Sequence, residues 1–370
     1  MIKIQNLKNI EFNITNLCNA KCPGCVRTAI LYPKDEWKKE YFTKNFPMNS
    51  IDPELFETIA DGLGNHAKNI VASFCGTTGD APNHPHIDQI VDIAVNRYKL
   101  LVIETNGSIR NETWWEQLAK KPNLIVRFAI DGLQDTNPLY RINTNFDKII
   151  KNATTFINAG GKAEWKFIIF DHNKHQVNEA HELSKQLGFR SFQTVLSKRF
   201  EGDSTLVLNN MYSAKASNVD QNIKQKGFQI KPAVDLDSLI PEVVTWQRQS
   251  ADQLNQHQNI SISCRVADEG YLFIDQWGKL WPCCFWSVEN ESPWSDTGWK
   301  WGYWWEKFQT QYGNNFNQLS KDCTVIDLLE HDLIQKWLPD SFSGVHDKCT
   351  VCIAQCTSNK NSKNKLVSIT

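Results

Sequence analysis

The sequence predicts an α/β fold, an open and partial (β/α)6 barrel followed by a small cysteine-rich domain. Three observations lead there: six short β-rich runs separated by helical periodicity, a cysteine cluster directly behind the first run, and a second concentration of cysteines in the last third of the chain. Repeated strand–helix units build a parallel sheet with helices outside it. Six units are too few for a closed eight-stranded barrel, so the expected form is a partial, TIM-like barrel with its reactive groups at the carboxyl ends of the strands.

The strand runs are Ile10 to Thr15, Asn69 to Phe74, Leu100 to Thr105, Leu124 to Ile130, Trp165 to Phe170 and Ser191 to Leu196. Between them lie the helical patterns PELFETIADGLG, HIDQIVDIAVNRY, FDKIIKNATTFINAG and QVNEAHELSKQLG, most of which stop at or near a glycine, a usual helix terminator. The expected organisation is a barrel over residues 1–199, a helical linker over 200–260, a cysteine-rich domain over 261–358 and a flexible, basic-leaning tail over 359–370. No internal repeat is visible.

Composition bounds the function. The 370-residue chain is 41% hydrophobic and 22% charged, and its formal net charge of -1 gives no electrostatic reason to expect nucleic acid or an anionic membrane as partner. No apolar run approaches the roughly 18 residues of a membrane span. The opening MIKIQNLKNIEFNIT reads as a strand, not an export signal, so a cytoplasmic location is expected. Disulfides seldom persist there, and the 11 cysteines therefore point to metal or redox work.

Cys18, Cys22 and Cys25 follow the first strand as CNAKCPGC. This CxxxCxxC loop resembles the signature of the radical S-adenosylmethionine (radical SAM) superfamily. The resemblance implies that the three thiolates ligate three irons of a 4Fe-4S cluster, leaving the fourth iron to be chelated by the methionine end of SAM. An electron passed into the sulfonium then releases a 5'-deoxyadenosyl radical, which removes hydrogen from an unreactive C–H group. A zinc site is the alternative, since CPGC is also half of a zinc knuckle; ligand type and spacing favour iron and sulfide.

Further segments at the strand ends resemble the same superfamily. Gly76, Thr77, Thr78, Gly79 and Asp80 look like its GGEP-type segment, whose backbone meets the SAM amino group, with Thr77 and Asp80 in place of the usual Gly and Glu. The alternative is a plain Gly-rich turn. Thr105 and Asn106, in ETNG, resemble another shared segment. The stretch AIDGLQDTNPLYR is similar to the S-x-D-G…Y-R segment of the branch with C-terminal auxiliary clusters. It makes Arg141 the candidate for the SAM carboxylate, whose paired oxygens suit a guanidinium, against the alternative of a surface ion pair. Ala129 occupies the usual Ser position. Gly24 stands where that family often has an aromatic residue, so the adenine must find apolar cover elsewhere.

In the last third, Cys264, thirteen residues, Gly278, four residues and Cys283 fit the C-x(9-15)-G-x4-C pattern of twitch and SPASM domains, in which a hairpin turns at the glycine. KCTVCIAQC adds Cys349, Cys352 and Cys356. The resemblance implies one auxiliary 4Fe-4S cluster on Cys264, Cys283, Cys349 and Cys352, with Cys356 an alternative to Cys349. Cys75, Cys284 and Cys323 are expected to be buried or free thiols, although the last two keep a second auxiliary cluster open. Half of the 14 tryptophans fall between Trp281 and Phe308; they are expected to be core, the alternative being an aromatic lining for a substrate or cluster.

The function implied is SAM-dependent oxidation or other modification of a substrate C–H bond, supplied with electrons by a donor such as flavodoxin or ferredoxin. A small molecule is the expected substrate, because the chain begins at its first barrel strand. Modification or crosslinking of a ribosomally made peptide is the alternative, and a non-catalytic iron-sulfur or zinc protein a distant one. No lone His or Glu stands out as a catalytic acid or base.

Overall fold

The computed structural model describes residues 3–32, 40, 46–197, 200–201, 205–206, 230–231, 233, 264, 268–291, 303–343 and 352. Six strands, Asn9–Phe12 (β1), Val71–Phe74 (β2), Leu100–Thr105 (β3), Leu124–Ala129 (β4), Lys162–Ile169 (β5) and Ser191–Leu196 (β6), lie side by side in sequence order. Every neighbouring pair among them is parallel. This is the expected α/β architecture with six parallel strands.

Strand alternation sorts each strand into two faces. Ile10 and Phe12, Ala72 and Phe74, Leu101 and Ile103, Val126 and Phe128, and Trp165 and Phe167 are buried in one core shared with the outer helices. The helix Pro53–Gly62, capped by the Asp52 carboxylate on the Glu54 and Leu55 amides, turns Phe56 into that core, where its ring meets Phe12 edge-on at 5.1 Å. The helix Phe146–Asn158, capped by Asn145, buries Ile149, Ala153 and Phe156. The helices Ile87–Arg97 and Val177–Gln186 match the remaining expected patterns. An unexpected helix, Glu112–Ala119, packs against the helix Phe146–Asn158; its adjacent Trp114 and Trp115 hide the 3.6-residue spacing in so short a run.

The opposite face carries polar groups. Arg127 on β4 reaches Glu104 on β3 at 2.7 Å and Glu164 on β5 at 2.8 Å, and Lys166 on β5 reaches Glu104 at 3.2 Å.

β5 starts three residues before its expected onset. Gly160, at φ +93°, ends the preceding helix in a conformation only glycine adopts easily. The chain then enters the strand at once. β1 stops at Phe12, three residues early, because the chain from Ile14 to Asn16 turns to another partner: Ile14 O accepts the Ile51 amide, Thr15 bridges Ser50 and the Asn16 amide donates to Asn49 O.

The hairpin expected at Gly278 is present, with Gly278 at φ +75° in its turn. Its strands Tyr271–Ile274 (β9) and Leu280–Trp281 (β10) do not stand apart from the barrel. β9 pairs parallel to β1, Asn9 opposite Tyr271 and Phe12 opposite Ile274, so the sheet runs β10-β9-β1-β2-β3-β4-β5-β6. The junction is tight: a Cβ on Gly270 would lie 1.9 Å from Asn6 O. In the segment expected to be a helical linker, Phe200–Glu201 (β7) and Thr205–Leu206 (β8) form a short antiparallel ladder; nearly all of the remainder, and the 359–370 tail, lie outside the described residues.

A second aromatic core gathers Phe273, Trp281, Trp286, Phe308, Phe316 and Trp337, with Trp286 stacked on Phe308 at 5.5 Å. Trp281 and Trp286 of the tryptophan-rich stretch are thus packing residues. Trp294, Trp299 and Trp301 lie outside the described residues.

Candidate metal and cofactor site at the strand ends

The loop after β1 folds back beneath a short helix, Val26–Leu31, for which Cys25 is the residue at the N-cap. Within it Cys22 is buried, and Cys18 and Cys25 are half-buried. All three pack on one small cluster with Ala20, Tyr140, Phe170 and Ile230. Burial drives the Cys18 thiol well above its ordinary value, reinforced by Asp80, Cys22 and Cys25 and eased by Arg27. Burial pushes Cys22 up to about 11 against the lowering pull of Arg141, with Cys25 adding to the rise. Burial thus disfavours the thiolate at Cys18 and Cys22, and a bound cation would offset that penalty.

Two side-chain donors and the Ala20 amide, 3.3 Å from Cys18 Sγ, point at these sulfurs. Arg141 Nη1 lies 3.8 Å from Cys22 Sγ and Asn106 Nδ2 lies 3.8 Å from Cys18 Sγ. Arg141 is no surface residue: its side chain is 15% exposed and its Nε donates to the fully buried Asp131 at 2.6 Å. Asp131 in turn accepts the Ile168 amide at 2.6 Å, and the Asp131 amide donates to Asn137 Oδ1 at 2.9 Å. Arg141 thus reaches Cys22 from the end of the short helix Asn137–Tyr140, held by Asp131 just beyond β4. Asp131 escaped the sequence reading, although it stands two residues after Ala129 in the quoted segment.

Gly24 has a local explanation. A Cβ there would sit 2.7 Å from the Tyr140 hydroxyl oxygen, and Tyr140 packs on Phe170 with ring centroids 4.5 Å apart. These two rings provide the apolar wall beside the thiols that position 24 does not.

The loop Gly76 to Asp80 lies against the stem of the cysteine loop. The Asp80 amide donates to Leu17 O at 2.9 Å, and a Cβ on Gly79 would fall 1.9 Å from Thr15 O, so only glycine allows this approach. Thr78 is buried, Thr77 half-buried and Gly76 exposed. Asp80 is braced internally: its carboxylate accepts from the Asn106 amide at 2.9 Å and from Asn83 Nδ2 at 3.0 Å, and burial raises it to about 6. Asn106 also donates to Asn19 Oδ1 at 3.1 Å, and Thr105 Oγ1 accepts the Gly107 amide at 3.0 Å. The ends of β1, β2, β3 and β4 are in this way stitched around the three thiols.

The rear cysteines divide. Cys264 is buried in the main core and Cys283 touches both cores. Cys352 and Cys75 belong to the second aromatic core, with Cys284 against it. Cys323 packs against the main core. Cys349 and Cys356 lie outside the described residues. Among the described residues no three His, Cys, Asp or Glu groups are placed to hold a single metal ion.

Residues 12–191 match the family described as the radical SAM superfamily. The chain carries a radical SAM domain. It runs from the last residue of β1 to the first of β6 and contains all three thiols of the front loop. The fold is similar to that of solved structures: Streptococcus suis SuiB bound to S-adenosylmethionine is 14% identical, with a TM-score of 0.53 over 94% of this chain and 72% of that one. A second, native anSMEcpe with bound AdoMet, is 15% identical, with a TM-score of 0.51 over 97% of this chain and 93% of that one. No curated protein matches the chain. The donor set suits the cofactor of that superfamily: three thiols gathered on one apolar wall, with the Arg141 guanidinium and the Asn106 amide within 3.8 Å of two of them.

Proposed function

We propose that the chain is an enzyme that reductively cleaves SAM and uses the resulting 5'-deoxyadenosyl radical to modify a C–H bond of its substrate. The observation that carries this reading is the gathering of Cys18, Cys22 and Cys25 on one wall at the exit of β1, with Arg141 beside Cys22 and Asn106 beside Cys18. In this reading those thiolates hold three irons of a 4Fe-4S cluster and leave the fourth for SAM. When bound, such a cluster supplies the electron that splits the sulfonium.

The chain's own residues orient the reactants and keep water out. Arg141, its Nε fixed by Asp131, presents its other nitrogens to the SAM carboxylate. The backbone of Gly76 to Asp80 takes the amino group. Asp80 and Thr105 serve as braces for Asn106, while Tyr140 and Phe170 offer a flat apolar surface to the adenine.

An auxiliary 4Fe-4S cluster on Cys264, Cys283, Cys349 and Cys352, with Cys356 as the alternative ligand, belongs to the same reading. So do a 261–358 twitch/SPASM-like unit, a flavodoxin or ferredoxin as electron donor, and a cytoplasmic location. No helix among the described residues is long and apolar enough to cross a membrane.

For the substrate, a peptide is favoured. SuiB has been solved bound to the precursor peptide SuiA, and native anSMEcpe with AdoMet and the Cp18Cys peptide. Dehydrogenation of a small molecule is the second reading; it rests on the rear cysteines being too few for two auxiliary clusters.

The test is anaerobic reconstitution with iron and sulfide, reduction, and assay for 5'-deoxyadenosine. Release of 5'-deoxyadenosine from SAM is the expected result, and a product two hydrogens lighter would identify an oxidation. A protein that takes up only zinc and leaves SAM intact would refute the reading.

A further inference from the structure

The turn of the β9–β10 hairpin enters the front site through one side chain. Gln276 is 1% exposed, and its Oε1 accepts from Asn13 Nδ2 at 2.5 Å. The same Asn13 nitrogen donates to Thr78 Oγ1 at 2.6 Å, and Asn13 Oδ1 accepts the Thr78 amide at 3.3 Å. Asn13 and Thr78 are each 2% exposed. The Gln276 carbonyl accepts from Asn49 Nδ2 at 2.6 Å, and the Asn49 amide donates to Asn16 Oδ1 at 2.7 Å. One residue of the hairpin therefore braces both the loop of Gly76 to Asp80 and the stem of the cysteine loop.

Gln276 Nε2 is buried and has no hydrogen-bond partner among the described residues. Buried amide donors are nearly always satisfied, since leaving one unmet is costly. A residue kept here only to fill space would be apolar; the amide is explained by what its oxygen holds.

We propose that Gln276 is a positioning residue for SAM: through Asn13 it fixes Thr78, and with it the backbone of the loop that meets the SAM amino group. This rests on the proposed function and adds to it that the hairpin completes the SAM site. Because β9 pairs directly with β1, movement of the hairpin is transmitted to that loop.

The test uses the full-length reconstituted chain and SAM itself. Gln276→Met keeps the volume and removes the acceptor; losing one buried hydrogen bond should weaken SAM binding about tenfold with iron content unchanged. Thr78→Val cuts the same chain from the other side, so the double variant should bind SAM no more weakly than the weaker single variant. Unchanged SAM affinity, additive losses, or iron lost in parallel with SAM would overturn the proposal.

Hydrogen exchange on the unaltered protein decides the matter even where a variant fails to fold. SAM should protect residues 76–80 and 274–279 together. Protection of 76–80 alone overturns the role of Gln276, and protection of neither overturns the SAM reading on which it rests.

Discussion

At position 24 a side chain has no room, because the Tyr140 hydroxyl oxygen occupies the space 2.7 Å from where its Cβ would be. Gly24→Phe should push Tyr140 off Phe170 and open the thiol wall. The expected outcome is loss of iron from the front loop, read by iron analysis, with little change in the circular dichroism of the barrel; full retention of iron would show that the wall is not needed. Gly79→Ala meets backbone, not a movable ring, at 1.9 Å. It should cost stability by roughly 1–3 kcal/mol, as overpacking does, visible as a lowered urea midpoint. The gathering of Cys18, Cys22 and Cys25 was legible in the sequence, because residues three and four positions apart on one loop stay close together. Asn13 and Gln276 were not, since their partners come from elsewhere in the chain: Thr78 lies 65 positions from Asn13, and Gln276 lies 263 positions away.

Among the elements, β3 and β6 were legible to the residue, because each is an apolar, β-rich run closed by a clear boundary. β1 was read too long, since Asn13 to Thr15 continue the alternation while the chain from Ile14 onward turns to residues 49–51. The pairing of β9 with β1 is invisible in either strand, as each presents only a short apolar run and parallel partners can lie anywhere in the chain. The polar face of β3, β4 and β5 was also missed; its charges are spread over strands distant in sequence. Those charges make an acid-sensitive clasp. Burial alone would raise Glu104, but Lys166 and Arg127 outweigh it and hold the carboxyl at about 2, below its ordinary 4.5. A depressed carboxyl stabilises the folded state above its unfolded value and loses that contribution as pH falls toward the folded one. Urea unfolding of wild type and Glu104→Gln should therefore differ in full above about pH 5 and converge as pH approaches 2; a constant difference across that range would contradict the clasp.

For the whole molecule, the sheet joins sequence ends to one site. β9 and β10, from the last third of the chain, lie at the edge beside β1. The front thiols, the loop of Gly76 to Asp80 and the hairpin turn consequently share one neighbourhood. Sequence patterning anticipated two units, a barrel and a rear domain, because cysteine spacing marks each separately; it carries no sign that the hairpin of the second extends the sheet of the first. The central claim is that Cys18, Cys22 and Cys25 hold the cluster that opens SAM. The most direct measurement is anaerobic reconstitution of the wild type beside a variant with all three changed to serine, counting iron and 5'-deoxyadenosine in each. About eight irons in the wild type, about four in the variant, and 5'-deoxyadenosine from the wild type alone are predicted. Equal iron in the two proteins, or SAM cleavage that survives loss of all three thiols, would contradict it.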